Sequence, residues 1–369
     1  MSVAPNRAGV LVCPCAYNPS MSDLRSLRAT LREIDDKSDG HSWSDQRIAV
    51  LRESGCFGNV IGRDFGGNET PPLAQLQTYH AVGAGSISAA LILTQHDSAC
   101  ELLGHCGNDS VKQRLLPQCA AGDKLATVGI SQLTTSRRHA GAAMRATPYG
   151  DDFILDGVMP WVTSVRYADV IVTGAVLDDD RQILACVPMD APGLAPGEPM
   201  DLMALRSSWT SEVRCDGVRV KPDDLLSGPA EQVLDIRAPV KPLKVSGVGL
   251  GLATTLYEES KSLAGNLGDA ERIMTEAVTP AYEAVRDRLF AAADQLNDPA
   301  AEIPSGEIRS EVNALLVRLA ATLMTLAKGS GFLSSHPAQR LVREAMFFMV
   351  WSASDPVRLG TLRRIWTGM

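Results

Sequence analysis

No block of Lys or Arg stands out in this 369-residue chain, and its formal net charge is -8. A polyanion such as nucleic acid therefore finds no electrostatic footprint, and any anionic ligand needs a local basic pocket. Histidine is scarce, at six residues, and none has metal-ligand spacing. The eight cysteines (Cys13, Cys15, Cys56, Cys100, Cys106, Cys119, Cys186 and Cys215) form no CxxC pair. The one close pair, Cys13 and Cys15, is too tight for a usual zinc knuckle, so free thiols in a reducing cytosol are expected. Residues 81–94 form the longest apolar stretch. That is too short to span a bilayer, and its Gly, Ala and Ser content reads as one tightly packed core helix. The first twenty residues hold a short apolar run without a convincing cleavage site, so a cytoplasmic protein away from membranes is expected. HExxH, GxSxG and GxxxxGK[ST] are all missing, which leaves metalloprotease, serine-hydrolase and P-loop chemistry unsupported. Gly247, Gly249 and Gly251 make a GxGxG, but no strand precedes it and close helix packing is the expected role.

What is present divides into three textures. Residues 22–123 carry helical periodicity, as in Leu24, Leu27 and Leu31, and in Leu102, Leu103, Val111, Leu115 and Leu116. Residues 125–228 read as short strands, among them Phe153 and Leu155, Val170 to Val172, Ile183 to Val187, and Val213 to Val220. Turn signals at Gly150-Asp151, at Asp178 to Asp180 and at Pro192-Gly193 separate them. From 230 onward long apolar-faced helices return, with a polar loop at 299–304. Hydrophobic residues make up 45%, enough for a sizeable core. The fold class is therefore α+β: an N-terminal helical domain (1–123), a central antiparallel β-barrel or sandwich (124–229) and a C-terminal four-helix bundle (230–369).

Within these regions a series of segments resembles the acyl-CoA dehydrogenases, in the same order. Gly62 to Gly67 (GRDFGG) looks like that family's "P-x-x-Y-G-G". The stretch GHCGNDSVKQRLLPQCAAGD, 104–123, is similar to "G-[ST]-x-x-Q-K-x-x-x-L-P-x-x-A-x-G-[ED]". The strongest match is FILDGVMPWVTSVRYAD, 153–169, against "Y-x-L-N-G-x-K-x-W-I-T-N-x-x-x-A-D". Residues 205–226, the LGLA of 250–253, and GSGFLSSHPAQRLVREA of 329–345 resemble further family segments. The resemblance implies FAD as cofactor, an acyl-CoA or phosphopantetheine-bound substrate, and a homodimer or homotetramer, possibly with a homologous subunit.

The resemblance also implies roles for single residues. Trp161 would cover a face of the isoalloxazine, and the Thr163 hydroxyl would reach flavin N5, the atom that accepts hydride. The Ile130 backbone and Ser131 hydroxyl would contact the pyrimidine side. Gly329, Gly331, Arg340 and Arg343 would cradle the rest of the FAD, while Arg137, Arg138 and Arg206 would face the substrate or its carrier arm. For the Arg137-Arg138 pair, a solvated loop is an equal reading.

Two departures stand out. The family's glutamate base falls on Ser352, and its alternative position in the first bundle helix falls on Lys241 and Pro242. An unassisted serine is a poor base. The family's "R-x-x-F-G", which sends an Arg to the FAD pyrophosphate of a neighbouring subunit, is here Leu267 to Glu271 and has no Arg. Three readings follow: a flavin oxidoreductase on an acyl thioester with a non-standard or absent base, a flavin monooxygenase of the same fold with His336 as the local candidate, or a degenerate partner subunit.

Overall fold

The computed structural model describes residues 19–38, 42–134, 143–235, 238, 240–298 and 300–367. Its first helix, α1 (Met21–Lys37), opens with a capping box in which Ser20 and Asp23 satisfy each other's backbone N–H. Leu24, Leu27, Leu31 and Asp35 make its buried face. Then follow α2 (Asp45–Glu53), α3 (Pro72–Gly85), α4 (Ile87–His105) and α5 (Asp109–Ala120). The apolar stretch 81–94, expected as one helix, is two: Ser86 leaves helical space at φ -153° and caps α4 by accepting from the Ala89 N–H. A serine hydroxyl that competes for backbone N–H groups outweighs the apolar pattern around it.

Strands follow: β1 (Ala126–Gly129), the short helix α6 (Ser131–Thr134), β2 (Met144–Tyr149), β3 (Asp152–Val162), β4 (Val170–Val176), β5 (Gln182–Pro188), β6 (Leu194–Pro196), β7 (Ser211–Val220) and β8 (Leu225–Ala230). Among the described residues these make one eight-stranded sheet: seven strands run in the order β6-β7-β3-β2-β4-β5-β8, and β1 pairs with β4 off that path. The β2–β3 hairpin turns at Gly150, whose φ of 63° suits a residue without Cβ. Alternate residues of β4 face opposite ways. Val170 and Val172 pack with α4 and α5, whereas Ile171 and Ala175 pack with Met159, Val213 and Val218 of the curled-over strands. Of the barrel or sandwich expected, a closed barrel does not form among the described residues: β6 and β8 are open edges, and β1 joins β4 in parallel, not antiparallel, register (Ala126↔Val170). Alternation of apolar residues reports which strands are half-buried, but carries no information on closure or strand direction.

The C-terminal helices are α7 (Lys244–Gly265), α8 (Asp269–Glu276), α9 (Thr279–Asp294), α10 (Ser305–Ala327), α11 (Pro337–Phe347) and α12 (Asp355–Thr367). The apolar α10 sits at their centre, touching α7, α9, α11 and α12. The helix α7 also packs along α3, so Leu76, Val82 and Leu93 share one core with Leu250, Leu256, Leu316 and Leu319. Glycines allow that approach. A Cβ on Gly251 would lie 2.3 Å from the His80 carbonyl oxygen and 2.6 Å from the Ala84 nitrogen. Gly251→Val is accordingly expected to destabilise the protein by at least about 1–3 kcal/mol through overpacking. Urea unfolding measures this, and an unchanged midpoint would contradict so close a helix pair.

Candidate flavin crevice

The parallel pairing of β1 with β4 brings the end of β1 beside the end of β3. Thr127 Oγ1 donates to the Thr163 carbonyl at 2.8 Å, and Thr173 Oγ1 donates to the Gly129 carbonyl at 2.8 Å. Gln132 turns back beneath α6, its Nε2 donating to the Gly129 and Gly174 carbonyls at 2.7 and 3.0 Å. Those bonds fix the corner at which the half-buried Ile130 and Ser131 stand.

At the end of β3, Trp161 is 51% exposed while Thr163 is buried. The Thr163 hydroxyl meets Thr210 Oγ1 at a long 3.3 Å, and Thr210 in turn meets Ser208 Oγ at 2.9 Å. Backbone strain concentrates here: Ser164, Leu205 and Trp209 have φ of 60°, 64° and 51°. Left-handed backbone at three bulky or polar residues persists only where the surroundings hold it. Here Ser164 N–H donates to the Ser208 carbonyl and Val165 N–H to the Trp209 carbonyl, at 2.9 and 3.2 Å. Aromatic packing closes the outside, with Trp43 stacked on Tyr167 at 3.9 Å and Tyr167 edge-on to Trp209 at 5.4 Å. The Ser164 hydroxyl is buried without a hydrogen-bond partner among the described residues. The result is a cluster of hydroxyl groups just past the end of the strand that carries the half-exposed Trp161.

Other expected site residues lie elsewhere. Arg340 is not free to cradle a phosphate: it pairs with Asp35 at 2.9 Å and Asp36 at 2.5 Å. Arg206 folds onto its own loop, donating to the Leu202 carbonyl at 2.7 Å and pairing with Asp201 at 2.5 Å. Gly331 serves packing, since a Cβ there would press on Met324 and Ala327, whereas Gly329 faces open space. Ser352 is exposed at φ 48° in the turn after α11. Of the nearby carboxylates, Asp355 pairs with Arg358 and Asp235 is exposed. His336 is the N-cap of α11, its Nδ1 accepting from the Ala338 N–H at 3.2 Å. The lone-pair nitrogen is thus committed to the backbone, which removes it as a ready base. Arg137 and Arg138 lie outside the described residues.

The comparisons with known proteins agree on one architecture. Residues 25–123 match the family model described as the acyl-CoA dehydrogenase N-terminal domain. A probable acyl-CoA dehydrogenase of Bacillus subtilis is 21% identical over 85% of this chain and 87% of its own length. The butyryl-CoA dehydrogenase of Megasphaera elsdenii superposes with a TM-score of 0.79 at 16% identity, covering 92% of this chain and 97% of that one. TdsC of Paenibacillus, solved with FMN and indole, superposes at 0.80 and 16% identity, covering 95% and 97%. The chain has the acyl-CoA dehydrogenase fold. In this structure Thr127 of β1 bonds the Thr163 carbonyl, Trp161 is half-exposed, and Arg340 and Arg206 are held in ion pairs.

Two buried charge networks escaped the sequence reading. Asp35 pairs with Arg47 at 2.6 Å as well as with Arg340. A second network joins α3, α4 and α7: the Tyr79 hydroxyl donates to Asp97 Oδ2 at 2.5 Å, and Lys244 grips Glu101 at 2.9 and 3.0 Å. Burial pushes the Asp97 carboxyl up to about 7, with Lys244 and the Tyr79 bond opposing and Glu101 adding to the rise; the Cys56 thiol also faces it. Because the folded value lies above the ordinary 3.8, the native state favours the protonated acid. That preference is complete below the unfolded value and is lost as pH rises through the folded one. Stability is therefore expected to decline between about pH 4 and 7, and Asp97→Asn to flatten that slope in pH-dependent urea unfolding. An unaltered slope would place the titration on other groups.

Proposed function

We propose that this protein is a flavin-dependent oxidoreductase of the acyl-CoA dehydrogenase type. Its substrate is an acyl thioester, on CoA or a phosphopantetheine arm, and its proton-accepting group is not at the family's usual place. The observation that carries the reading is the Thr163 hydroxyl, just past the end of β3 and two residues from the half-exposed Trp161, with one partner among the described residues, Thr210 at 3.3 Å. A hydroxyl so weakly engaged can turn its donor to a ring nitrogen, and Trp161 offers the flat apolar surface that excludes water from the ring. The unpartnered Ser164 hydroxyl adds another donor or acceptor in the same cluster.

This donor set fits the ring end of a flavin. It fits the diphosphate of FAD less well, because Arg340 is engaged by Asp35 and Asp36, and Asp269 and Glu271 stand in the segment expected to supply a cation. A bound flavin would supply hydride acceptance. The chain's part is to orient the ring through Thr163 and the Ile130-Ser131 corner, and to keep water from the Trp161 face. Ser352 contributes no carboxylate to remove an α-proton, so a substrate that carries its own activated proton suits this site better than a simple acyl chain.

A second reading, oxygen-dependent monooxygenation, is favoured by one observation: the fold neighbour TdsC was solved with FMN and indole. A homodimer or homotetramer built through the C-terminal helices accords with the stripe Leu359, Leu362 and Trp366 left exposed along α12.

Purification decides between these. The expected outcome is a yellow protein whose released flavin runs with an FAD or FMN standard and which bleaches anaerobically with an acyl thioester. Oxygen uptake with externally reduced flavin would move the assignment to the monooxygenase. A colourless protein that takes up neither flavin would leave the degenerate-subunit reading standing.

A further inference from the structure

Four arginines and two carboxyl groups border one small, partly open cavity on the strained 204–207 loop. Arg47 of α2, Ser88 in the first turn of α4, Arg206 and Ser207 ahead of β7, and Arg340 and Arg343 of α11 line it, together with Asp35 and Glu344. The two oxygens of Asp35 are divided between Arg47 and Arg340, Arg340 also pairs with Asp36, and Arg206 is matched by Asp201 at the surface. Arg343 donates to the Met203 carbonyl at 2.6 Å and to the Gln339 side chain at 2.6 Å, and has no carboxylate partner among the described residues. Arg47 is 1% exposed, and its Nη1 has no hydrogen-bond partner among the described residues. A buried guanidinium N–H left unmatched is costly, so this arrangement calls for a counter-group.

Glu344 is the remaining acid, and it does not fill the role well. Burial pushes its carboxyl up to about 7 even though Arg340, Arg32 and Arg47 pull it down; Asp35 pushes the same way as burial. Two hydroxyls complete the lining. Ser88 and Ser207 share a single hydrogen at 2.8 Å, so one of the two protons remains free for a guest. The first turn of α4, which carries Ser88, adds its favourable N-terminal field. The space holds a guest the size of a water molecule or a halide ion and is too small for an organic phosphate.

The geometry points to a halide-sized monovalent anion bound in this cavity, held by Arg47 and Arg343 beside the first turn of α4. Such an ion ties together α2, α4, the strained 204–207 loop and α11, and its role is to lock the N-terminal helices onto the segment that leads into Ser352. The site is independent of the flavin assignment.

The test uses the whole protein in halide-free buffer, with sodium chloride or bromide exchanged for sodium gluconate at constant ionic strength. The thermal midpoint is expected to rise saturably with either halide and not with gluconate, which cannot enter. Arg343→Gln, which breaks no ion pair, is expected to weaken halide affinity at least tenfold. Affinity should also fall as pH rises through about 7, where Glu344 gains its charge, and Glu344→Gln should remove that fall. Should Arg343→Gln not fold, bromide-soaked crystals of the unaltered protein decide the matter by an anomalous peak between Arg47 and Arg343. Equal midpoints in halide and gluconate would overturn the proposal. So would a peak seen only at molar bromide with no saturable shift, an adventitious ion only.

Discussion

Replacing Asp35 with alanine is expected to lower stability by about 3–5 kcal/mol, the usual consequence of removing one partner from a buried ion pair. The effect is large because one carboxylate serves two buried guanidinium groups, Arg47 at 2.6 Å and Arg340 at 2.9 Å. Its removal strands the Arg47 charge out of reach of water and leaves Arg340 with Asp36 alone. Asp35→Asn is expected to cost less, since the amide oxygen still accepts one of the two bonds. Equilibrium unfolding in urea resolves the order: alanine worst, asparagine intermediate, unaltered protein best. If alanine and the unaltered protein unfolded together, the network would be ornamental and its arginines already hydrated.

The second large effect concerns the crevice. Trp161→Ala and Thr163→Val are each expected to weaken flavin binding by about tenfold, from loss of a stacking face and of a hydrogen-bond donor respectively. Trp161 is 51% exposed, so its removal should leave the unfolding midpoint nearly unchanged. That separates a ligand contact from a packing role. Fluorescence quenching of added flavin reads the affinity, and binding undiminished in both variants would defeat the placement of the ring.

Much of the fold was legible in the sequence because period and punctuation are local. Leucines three and four apart gave α1, and Gly150 turned the β2–β3 hairpin. The candidate crevice was chosen for a different reason: Trp161 and Thr163 sit in a segment whose resemblance to a known family is nearly continuous. What escaped depends on partners distant in the chain. Arg340 looked free for a phosphate because its partner, Asp35, lies 305 residues away. A clue did exist: Asp35 falls on the same helical stripe as Leu24, Leu27 and Leu31, and a carboxylate on an apolar stripe needs a buried cation. The parallel insertion of β1 and the open edges of the sheet had no comparable local sign.

The common core of α3 and α7 also governs how this chain comes apart. The matched N-terminal segment ends at residue 123, yet the face of α3 that it contains is covered by a helix that starts at Lys244. A fragment ending there would bare Leu76 and Val82 to solvent and stick to its neighbours. The newly made chain must therefore wait for its last third before its first helices find their place, and protease cuts in the middle strands should release pieces that do not survive alone.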